Sequence, residues 1–301
     1  MNKRMRAAIL LVLSLMVYTQ AGVAESTPLL YQVQDENGHC IYLLGTIHLG
    51  NEDMYPLSDA VKHAYQDSEI LAVELDIVSI TQDLAQMMKY SMALMYGADD
   101  SAKNHLSPET YALGVEKLGY PEFALDKIHI ASWLSLAQEQ LFASIGRTSD
   151  MGVDQCLLRL AHHDGKEIHP LETMEDQMQL LLDMPDQMVD EQLRQMLTYP
   201  EASALSLELF STAWEQGNET FLSLLLAQEE VAIPPEYAEI YTAYYHRMYD
   251  QRDAAFEEKA IEYLQSGKKV LFAVGAAHIV GENGLADRLE KAGYQVTEIG
   301  R

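Results

Sequence analysis

Two histidines close the same four-residue pattern, Gly-x-x-His, near opposite ends of the 301-residue chain. His48 ends the pattern that starts at Gly45, and His278 ends the one that starts at Gly275. Glu74, like both patterns, follows a run of apolar residues. Two neutral imidazoles and one carboxylate, with a position left open for water, make a usable catalytic metal site. The sequence therefore predicts a site formed by His48, His278 and Glu74.

Three kinds of activity are compatible with these side chains. A bound zinc, manganese or iron(II) ion would lower the pKa of its water and supply a nucleophile at neutral pH, with Glu74 as ligand or general base. Without a metal, one histidine could act as general base on a water that a glutamate orients. The third possibility is a protein that binds a peptide or haem without turnover. The metal-dependent hydrolase is the leading hypothesis, and its substrate would be a peptide or a small molecule.

Strand ends must bring these residues together. In an α/β sheet, ligands collect beyond the carboxyl ends of the strands, and glycine as the last strand residue permits a sharp exit of the chain. A single histidine at a strand end is more often structural than functional, but two at matching positions favour a shared site. Asp76 would lie on the same face as Glu74 if the strand over residues 70–76 continues that far.

The pattern of apolar residues predicts the elements around these motifs. Strands flank an Asn37-Gly38 turn signal, which is typical of a β-hairpin, and Ser58 is a candidate cap for the helix that follows. Helical periodicity dominates residues 79–265, with one short strand near residues 166–169. Further expected elements are a strand over 269–274, a helix over 284–292 and a strand over 295–299.

The N-terminal and C-terminal parts share one order of elements: apolar strand, Gly-x-x-His, helix, strand. This similarity indicates a weak internal duplication, and strand-helix-strand units normally give parallel pairing through a crossover. The predicted fold is therefore α/β. Its mixed central sheet is formed by the two terminal units, and a large helical lobe is inserted between them.

Residues 1–24 have the layout of a secretory signal peptide. Lys3, Arg4 and Arg6 precede an apolar stretch over residues 7–18, and small residues follow up to Ala24. The stretch is shorter than the roughly 20 residues that a membrane-spanning helix needs. We expect cleavage, no stable membrane insertion afterwards, and a mature α/β domain of residues 25–301 in the periplasm or outside the cell.

Charge and cysteine content limit the possible partners. The formal net charge is −26, so polyanions such as nucleic acid would be repelled, whereas cations would be concentrated near the protein. The only cysteines are Cys40 and Cys156. In an oxidising compartment they could form one disulfide or remain two isolated thiols, and the sequence leaves both open.

Together these motifs resemble the bacterial TraB/GumN/PrgY-like family, which is related to the Tiki metalloproteases of animals. The resemblance covers nearly all of the chain after residue 28, because short matching stretches run through it in family order: Gly45-Thr46-Ile47-His48, Val73-Glu74-Leu75-Asp76, Gly152-Val153-Asp154, Leu171-Glu172-Thr173, Arg252-Asp253, and Gly275-Ala276-Ala277-His278 through Gly284-Leu285. The resemblance implies an α/β core related to erythromycin-esterase-like and haem-binding ChaN-like proteins. It also implies a metal-dependent peptidase site that binds a divalent ion such as manganese, cobalt or zinc.

The resemblance assigns residues to two groups. His48, His278 and Glu74 are implied as metal ligands and catalytic residues, whereas Asp154, Glu172, Gly45 and Gly275 match family signatures without a defined role. Many relatives have asparagine where this chain has Asp253, directly after Arg252. That departure favours a structural ion pair for Arg252 over a place in the site.

Overall fold

The computed structural model describes residues 29–231 and 235–299, with side chains described for all of these except 228–231. The predicted signal peptide, residues 1–24, therefore lies outside the described residues. The sheet has six strands: β1 Leu30–Gln34, β2 Cys40–Thr46, β3 Ile70–Val73, β4 Glu167–Pro170, β5 Val270–Gly275 and β6 Gln295–Glu298. Their order across the sheet is β4-β3-β5-β2-β1-β6.

Strands β2 and β5 lie side by side at the centre of the sheet and run parallel, with Thr46 paired to Gly275. Since β3 is parallel to β5 and β4 is parallel to β3, four neighbouring strands end at the same edge. Strand β1 is antiparallel to both β2 and β6. The predicted mixed α/β sheet, with strands from both chain ends, is confirmed.

The two terminal units do not pair internally as simple parallel crossovers would. Strand β3 pairs with β5 and not with β2, so the first strand of the C-terminal unit is inserted between the two strands of the N-terminal unit. Strand β6 pairs antiparallel with β1 at the sheet edge. The expectation of direct parallel pairing within each unit is therefore wrong, although β2, β3, β5 and β6 all point the same way.

Local signals explain how the chain enters the central strands. In the predicted hairpin, Gly38 has φ +86°, which glycine adopts without strain. The Asp35 carboxylate accepts hydrogen bonds from the backbone N–H of Asn37 and His39, which closes the turn. Farther on, the Ser58 hydroxyl accepts the N–H of Val61 at the start of a helix, as its sequence position predicts.

Helices cover the sheet and form most of the region between β3 and β5. In chain order they are α1 Asp59–Asp67, α2 Ile77–Gln82, α3 Leu84–Ala93, α4 Pro108–Lys117, α5 Glu122–Leu125, α6 Ile130–Ser144, α7 Val153–Asp164, α8 Met174–Leu182, α9 Asp186–Thr198, α10 Pro200–Glu215, α11 Glu219–Val231, α12 Ala238–Tyr245, α13 Gln251–Ser266, α14 Ala276–Ile279 and α15 Leu285–Lys291. A π-helix, His246–Asp250, joins α12 to α13. Short 3-10 turns occupy Glu52–Met54, Ala102–Asn104, Ser149–Met151 and Pro235–Tyr237.

The two larger apolar cores among the described residues correspond to the sheet and to the helical region. The main core is built on β2, β3 and β5, where Leu43, Leu71 and Phe272 have no exposed surface. A second core among α4, α6 and α9 surrounds the fully buried Trp133. Because β4 lies inside the helical stretch yet belongs to the main sheet, the helical region is tied to the sheet at that strand as well as at its two ends.

Trp214 on α10 makes a further connection between helices and sheet. It is fully buried, and its indole N–H donates to the carbonyl of Gly45 at 2.8 Å. Cys40 and Cys156 are both free thiols. Among residues 29–231 and 235–299, no helix combines the length and the apolar character required to cross a membrane.

Candidate functional site

The three residues predicted at the strand ends meet beside Gly275. A Cβ atom placed on that glycine would lie 3.2 Å from Oε1 of Glu74, 3.6 Å from Nε2 of His48 and 3.7 Å from Cδ2 of His278. The absence of a side chain at Gly275 therefore leaves room for the three groups to approach one another. This proximity follows from the parallel pairing of β2, β5 and β3, since each residue follows the carboxyl end of one of those strands.

Both carboxylate oxygens of Glu74 accept hydrogen bonds. Oε1 accepts the backbone N–H of Gly275 at 2.6 Å, and Oε2 accepts Nη2 of Arg252 at 2.7 Å. Burial acts to raise the pKa of Glu74, but the nearby imidazoles of His48 and His278, the Arg252 guanidinium and the Gly275 N–H lower it to about 2. Glu74 is therefore a fixed anion at neutral pH.

Arg252, in the first turn of α13, connects most of these groups. Its Nε and Nη2 donate to the two oxygens of Glu172 at 2.6 and 2.7 Å, and Nη2 also donates to Glu74. Its Nη1 donates to the Met248 carbonyl at 3.2 Å and to Nε2 of His278 at 2.9 Å. A guanidinium has five N–H donors, so these five contacts use all of them. Arg252 is a largely buried hub of the site.

Glu172 reaches this hub because the chain beyond β4 continues beside the end of β3. The N–H of Leu171 donates to the Val73 carbonyl at 2.8 Å, and the N–H of Glu172 donates to the Glu74 carbonyl at 3.0 Å. The two glutamates therefore project from neighbouring backbone positions toward one guanidinium. Their combined negative charge, with desolvation acting in the opposite direction, raises the already high pKa of Arg252 further.

His278 has both ring nitrogens occupied. Nδ1 lies 2.6 Å from Oδ1 of Asp253, and Nε2 faces the Nη1 donor of Arg252. Because a guanidinium can only donate, Nε2 must carry the lone pair, and the proton resides on Nδ1. The ring is 5% exposed and packs edge-on against Phe256 at 5.3 Å between centroids.

His48 differs from His278 in exposure. Its side chain is 62% exposed, and Nδ1 lies 3.2 Å from Oδ1 of Asp154 in an ion-pair contact. That oxygen is buried and accepts no hydrogen bond from the residues described. Partial desolvation lowers the pKa of His48, but the Asp154 carboxylate and then Glu74 outweigh it and raise the pKa to about 9. Nε2 of His48 lies beside Gly275. Because the His48 side chain is exposed and that of His278 is buried, His48 is the imidazole that solvent can reach.

Gly152 permits this close approach of α7 to His48. The N–H of Val153 donates to the Ile47 carbonyl at 2.9 Å, which brings the start of α7 against the chain that leaves β2. A Cβ on Gly152 would lie 2.9 Å from the backbone carbonyl carbon of His48 and 2.9 Å from Oδ1 of Asp154. Any side chain there would force the Asp154–His48 pair apart.

The four residues that match family signatures without a defined role occupy different positions. Asp154 and Glu172 contact the site directly, and Gly275 contributes its backbone N–H. Gly45 packs in the sheet, where a Cβ would lie 3.2 Å from Cα of Ala276. The expectation for Asp76 is wrong: β3 ends at Val73, and Asp76 instead caps α2 through the Ser79 N–H.

The sequence interpretation missed Asp253 and placed Arg252 outside the site. Both lie on α13, more than 175 residues after Glu74 in the chain, and neither follows a strand. The available signal is that Arg252-Asp253 is one of the stretches matching the family, although neither residue follows a strand. The structural pairing expected for Arg252 exists, but its partners are the predicted site residues themselves.

As placed, these residues do not fit a His-His-Glu metal centre. Nε2 of His278 and Oε2 of Glu74, two of the expected ligand atoms, both accept N–H groups of Arg252, so a cation at that point would face a guanidinium. Oε1 of Glu74 is taken by Gly275. Among the described side chains, no group of three or more His, Cys, Asp and Glu residues is arranged to hold a metal ion. Arg252 supplies positive charge at the place where the sequence predicts a metal.

The model of the TraB/PrgY/gumN family matches residues 29–298, and the chain belongs to this family. This confirms the resemblance on which the sequence analysis relied.

Two curated relatives carry the same printed name, "Uncharacterized protein YbaP", in Escherichia coli (strain K12) and Shigella flexneri. Each is 25% identical over 250 residues, which covers 82% of this chain and 87% of the relative. No solved structure matches the chain. The printed names of these relatives give no activity, so the geometry of the site carries the functional proposal.

Proposed function

We propose that this protein is a hydrolase of amide or ester bonds, first of all peptide bonds, in which His48 activates a water molecule without a metal ion. The observation that carries the proposal is the solvent-exposed His48 ring, which contacts the Asp154 carboxylate through Nδ1 and directs Nε2 toward Glu74 and Gly275. An imidazole backed by a carboxylate is a common general base.

The reaction can be written with the protons balanced. Nε2 of neutral His48 removes a proton from water as the water oxygen attacks the substrate carbonyl carbon. Asp154 stabilises the imidazolium that forms. When the tetrahedral intermediate collapses, His48 returns this proton to the leaving nitrogen or oxygen, so the products are a carboxylic acid and an amine or alcohol.

The remaining groups hold the geometry. Arg252 uses every N–H donor and thereby holds Glu74, Glu172 and His278 in fixed positions beside the proposed catalytic histidine. Glu74, anionic and beside His48, favours the protonated ring through its charge. The acidic net charge of −26 supports a neutral or cationic substrate over a polyanion.

A substrate screen tests the proposal directly. Fluorogenic peptide and ester libraries would be incubated with wild-type protein, with His48→Asn and with His163→Asn, an equivalent change at an 84% exposed histidine. Each protein would be assayed after chelator treatment and again after loading with Mn(II), Co(II) or Zn(II). We expect turnover that survives chelation and that falls by about 10²–10⁴-fold only in His48→Asn.

Other outcomes of this screen would replace the proposal. Turnover that requires an added ion would show a metal-dependent hydrolase in which Arg252 gives way to the metal. Stoichiometric binding of a peptide or of haem without product would show a binding protein.

We also infer export to the periplasm or beyond, on the basic, apolar and small-residue order of residues 1–24. Determination of the N-terminal sequence of protein recovered from a periplasmic extract tests this. We expect a mature chain that starts near Glu25. A protein that stays in the cytoplasm and still carries residues 1–24 would overturn the inference of export.

A further inference from the structure

We infer that Asp253 is a positioning residue: by accepting the Nδ1 proton of His278, it makes that ring an acceptor for Arg252 and so orients the Glu74 carboxylate. This inference rests on the proposed function for its consequence in catalysis. The geometry that supports it can be tested without turnover.

The tautomer of His278 follows from the partners of its two ring nitrogens. A neutral imidazole carries one proton, on either Nδ1 or Nε2, and the partner of one nitrogen decides the role of the other. Oδ1 of Asp253 lies 2.6 Å from Nδ1 of His278. Because an ionised carboxylate has no proton to donate, Asp253 can only accept a hydrogen bond from that nitrogen. The proton is thereby held on Nδ1, and Nε2 is left free to accept from Arg252 at 2.9 Å.

Burial makes this choice energetically important. The side chains of Asp253 and His278 are 8% and 5% exposed, so water cannot replace either partner. The opposite tautomer would direct an Nε2–H at the Arg252 Nη1 donor and leave the Asp253 carboxylate without its hydrogen bond. A buried polar group without a hydrogen-bond partner destabilises the fold, and a buried charged group does so more strongly.

Aromatic packing restricts rotation of the His278 ring away from these two partners. Phe256 lies edge-on to the His278 ring with centroids 5.3 Å apart, and Tyr249 lies 5.6 Å away. Phe256 and Asp253 are both on α13, one turn apart, so a single helix fixes the plane of the ring and its tautomer together.

The consequence reaches Glu74 through Arg252. The guanidinium has no spare donor, and its Nη1 contact with His278 sets the angle at which Nη2 meets Glu74. Glu74 in turn lies beside His48. Loss of the Asp253 acceptor would therefore remove the hydrogen bond between Nη1 of Arg252 and His278. The guanidinium could then shift, and the Glu74 carboxylate bound to it would change position beside His48.

The experiment measures the tautomer and the rate separately. Long-range 15N–1H spectra of the histidine side chains would be recorded for wild type, Asp253→Asn, Asp253→Ala and Asp186→Asn. The amide oxygen of asparagine can still accept the Nδ1 proton, whereas alanine cannot. Asp186 lies 2.8 Å from Nδ1 of His105 in the helical region, where Asp100 holds the other ring nitrogen at 3.0 Å, so Asp186→Asn is a control for the same substitution at another Asp–His pair.

We expect wild type and Asp253→Asn to show His278 protonated at Nδ1 only, and Asp253→Ala to show Nε2 protonation. In parallel, kcat should fall up to about a hundredfold in Asp253→Ala, with KM within twofold, and should be largely retained in Asp253→Asn. Asp186→Asn should leave both the His278 signals and the rate unchanged.

Two results would overturn the inference: an Nε2–H tautomer in the wild-type protein, or an unchanged His278 signal in Asp253→Ala. The wild-type spectrum alone is decisive on the first point, so the test does not depend on the alanine variant folding. If the tautomer responds but no substrate is turned over by any form, the positioning role stands and the proposed hydrolase fails. If substrate is turned over but the tautomer of His278 is the same in wild type and Asp253→Ala, only the positioning role fails.

Discussion

The two Gly-x-x-His motifs end neighbouring parallel strands, yet their histidines occupy opposite environments. His48 is 62% exposed and contacts one carboxylate, whereas His278 is 5% exposed with a partner on each nitrogen. The same motif thus supplies one imidazole that can exchange protons with a substrate and one that holds other groups in place. A shared pattern at two strand ends predicts a shared location more securely than a shared role.

The difference arises from the helices that cover each motif. The start of α7 reaches His48 only through the small Gly152 and leaves the ring open to solvent. Helix α13 covers His278 with Asp253 and Phe256 and inserts Arg252 between His278 and Glu74. Burial and pairing, which the motif does not encode, therefore separate the two roles.

The largest expected effect contrasts the two histidines. His48→Ala should lower kcat/KM by about 10²–10⁴-fold. At a pH above 9, where the ring is neutral in both the folded and the unfolded protein, it should change the free energy of unfolding by less than about 0.5 kcal/mol, because the side chain is exposed. His278→Ala should lose activity and also about 2–4 kcal/mol of stability, because a buried carboxylate and a buried N–H lose their partner. Urea unfolding together with steady-state kinetics measures both. Equal stability losses in the two variants would contradict the contrast.

Removal of the hub should destabilise the His278 side specifically. Arg252→Met leaves the carboxylates of Glu74 and Glu172 buried without their cation, and we expect a loss of about 3–5 kcal/mol. The double variant Arg252→Met with Glu172→Gln should recover part of that loss, since one uncompensated charge disappears. Chemical denaturation of both variants checks this. No recovery in the double variant would indicate that the guanidinium acts by packing and not by charge.

The contribution of Glu74 should depend on pH. Its folded-state pKa of about 2 lies below the usual value, so the stabilisation is fully present above about pH 4.5 and is lost as the pH falls toward 2. The stability difference between wild type and Glu74→Gln should therefore reach at most about 3 kcal/mol at neutral pH and shrink through that window. Unfolding curves at several pH values measure it, and a difference that stays constant down to pH 2 would contradict the assigned charge.

The smallest effect concerns the Asp154–His48 pair. Since the pKa of His48 is raised to about 9, its neutral base form increases up to that pH, and log kcat/KM should rise with unit slope before levelling near 9. Asp154→Asn removes the carboxylate that raises the pKa and should move the break down by about one to two pH units. A pH–rate profile of both proteins decides this, and an unchanged break would remove Asp154 from the site.

Much of the fold could be predicted because strong local patterns specify it. The Asn37-Gly38 turn gives the hairpin, Ser58 gives the helix start, and apolar runs give β3 and β5. Strand order could not be predicted in the same way. Insertion of β5 between β2 and β3 depends on contacts between distant segments, which local periodicity does not report.

The site could be predicted only in part, because some of its contacts also join segments that are distant in the sequence. Glu74, His48 and His278 each follow a strand, so their meeting at one sheet edge follows from general α/β geometry. Arg252 and Asp253 enter from a helix, and their contacts depend on how α13 packs across the sheet. The metal prediction considered only ligand types, and the guanidinium that meets two of those ligands lies outside what strand-end motifs can show.

The most direct test of the account is chemical rescue with free imidazole. His48→Ala and His278→Ala would be assayed with a substrate from the screen at increasing imidazole concentration. We predict that imidazole restores activity to His48→Ala, whose exposed site can admit the base, and leaves His278→Ala unaffected. Rescue of His278→Ala, or of neither variant, would contradict the assignment of His48 as the base and His278 as a structural acceptor.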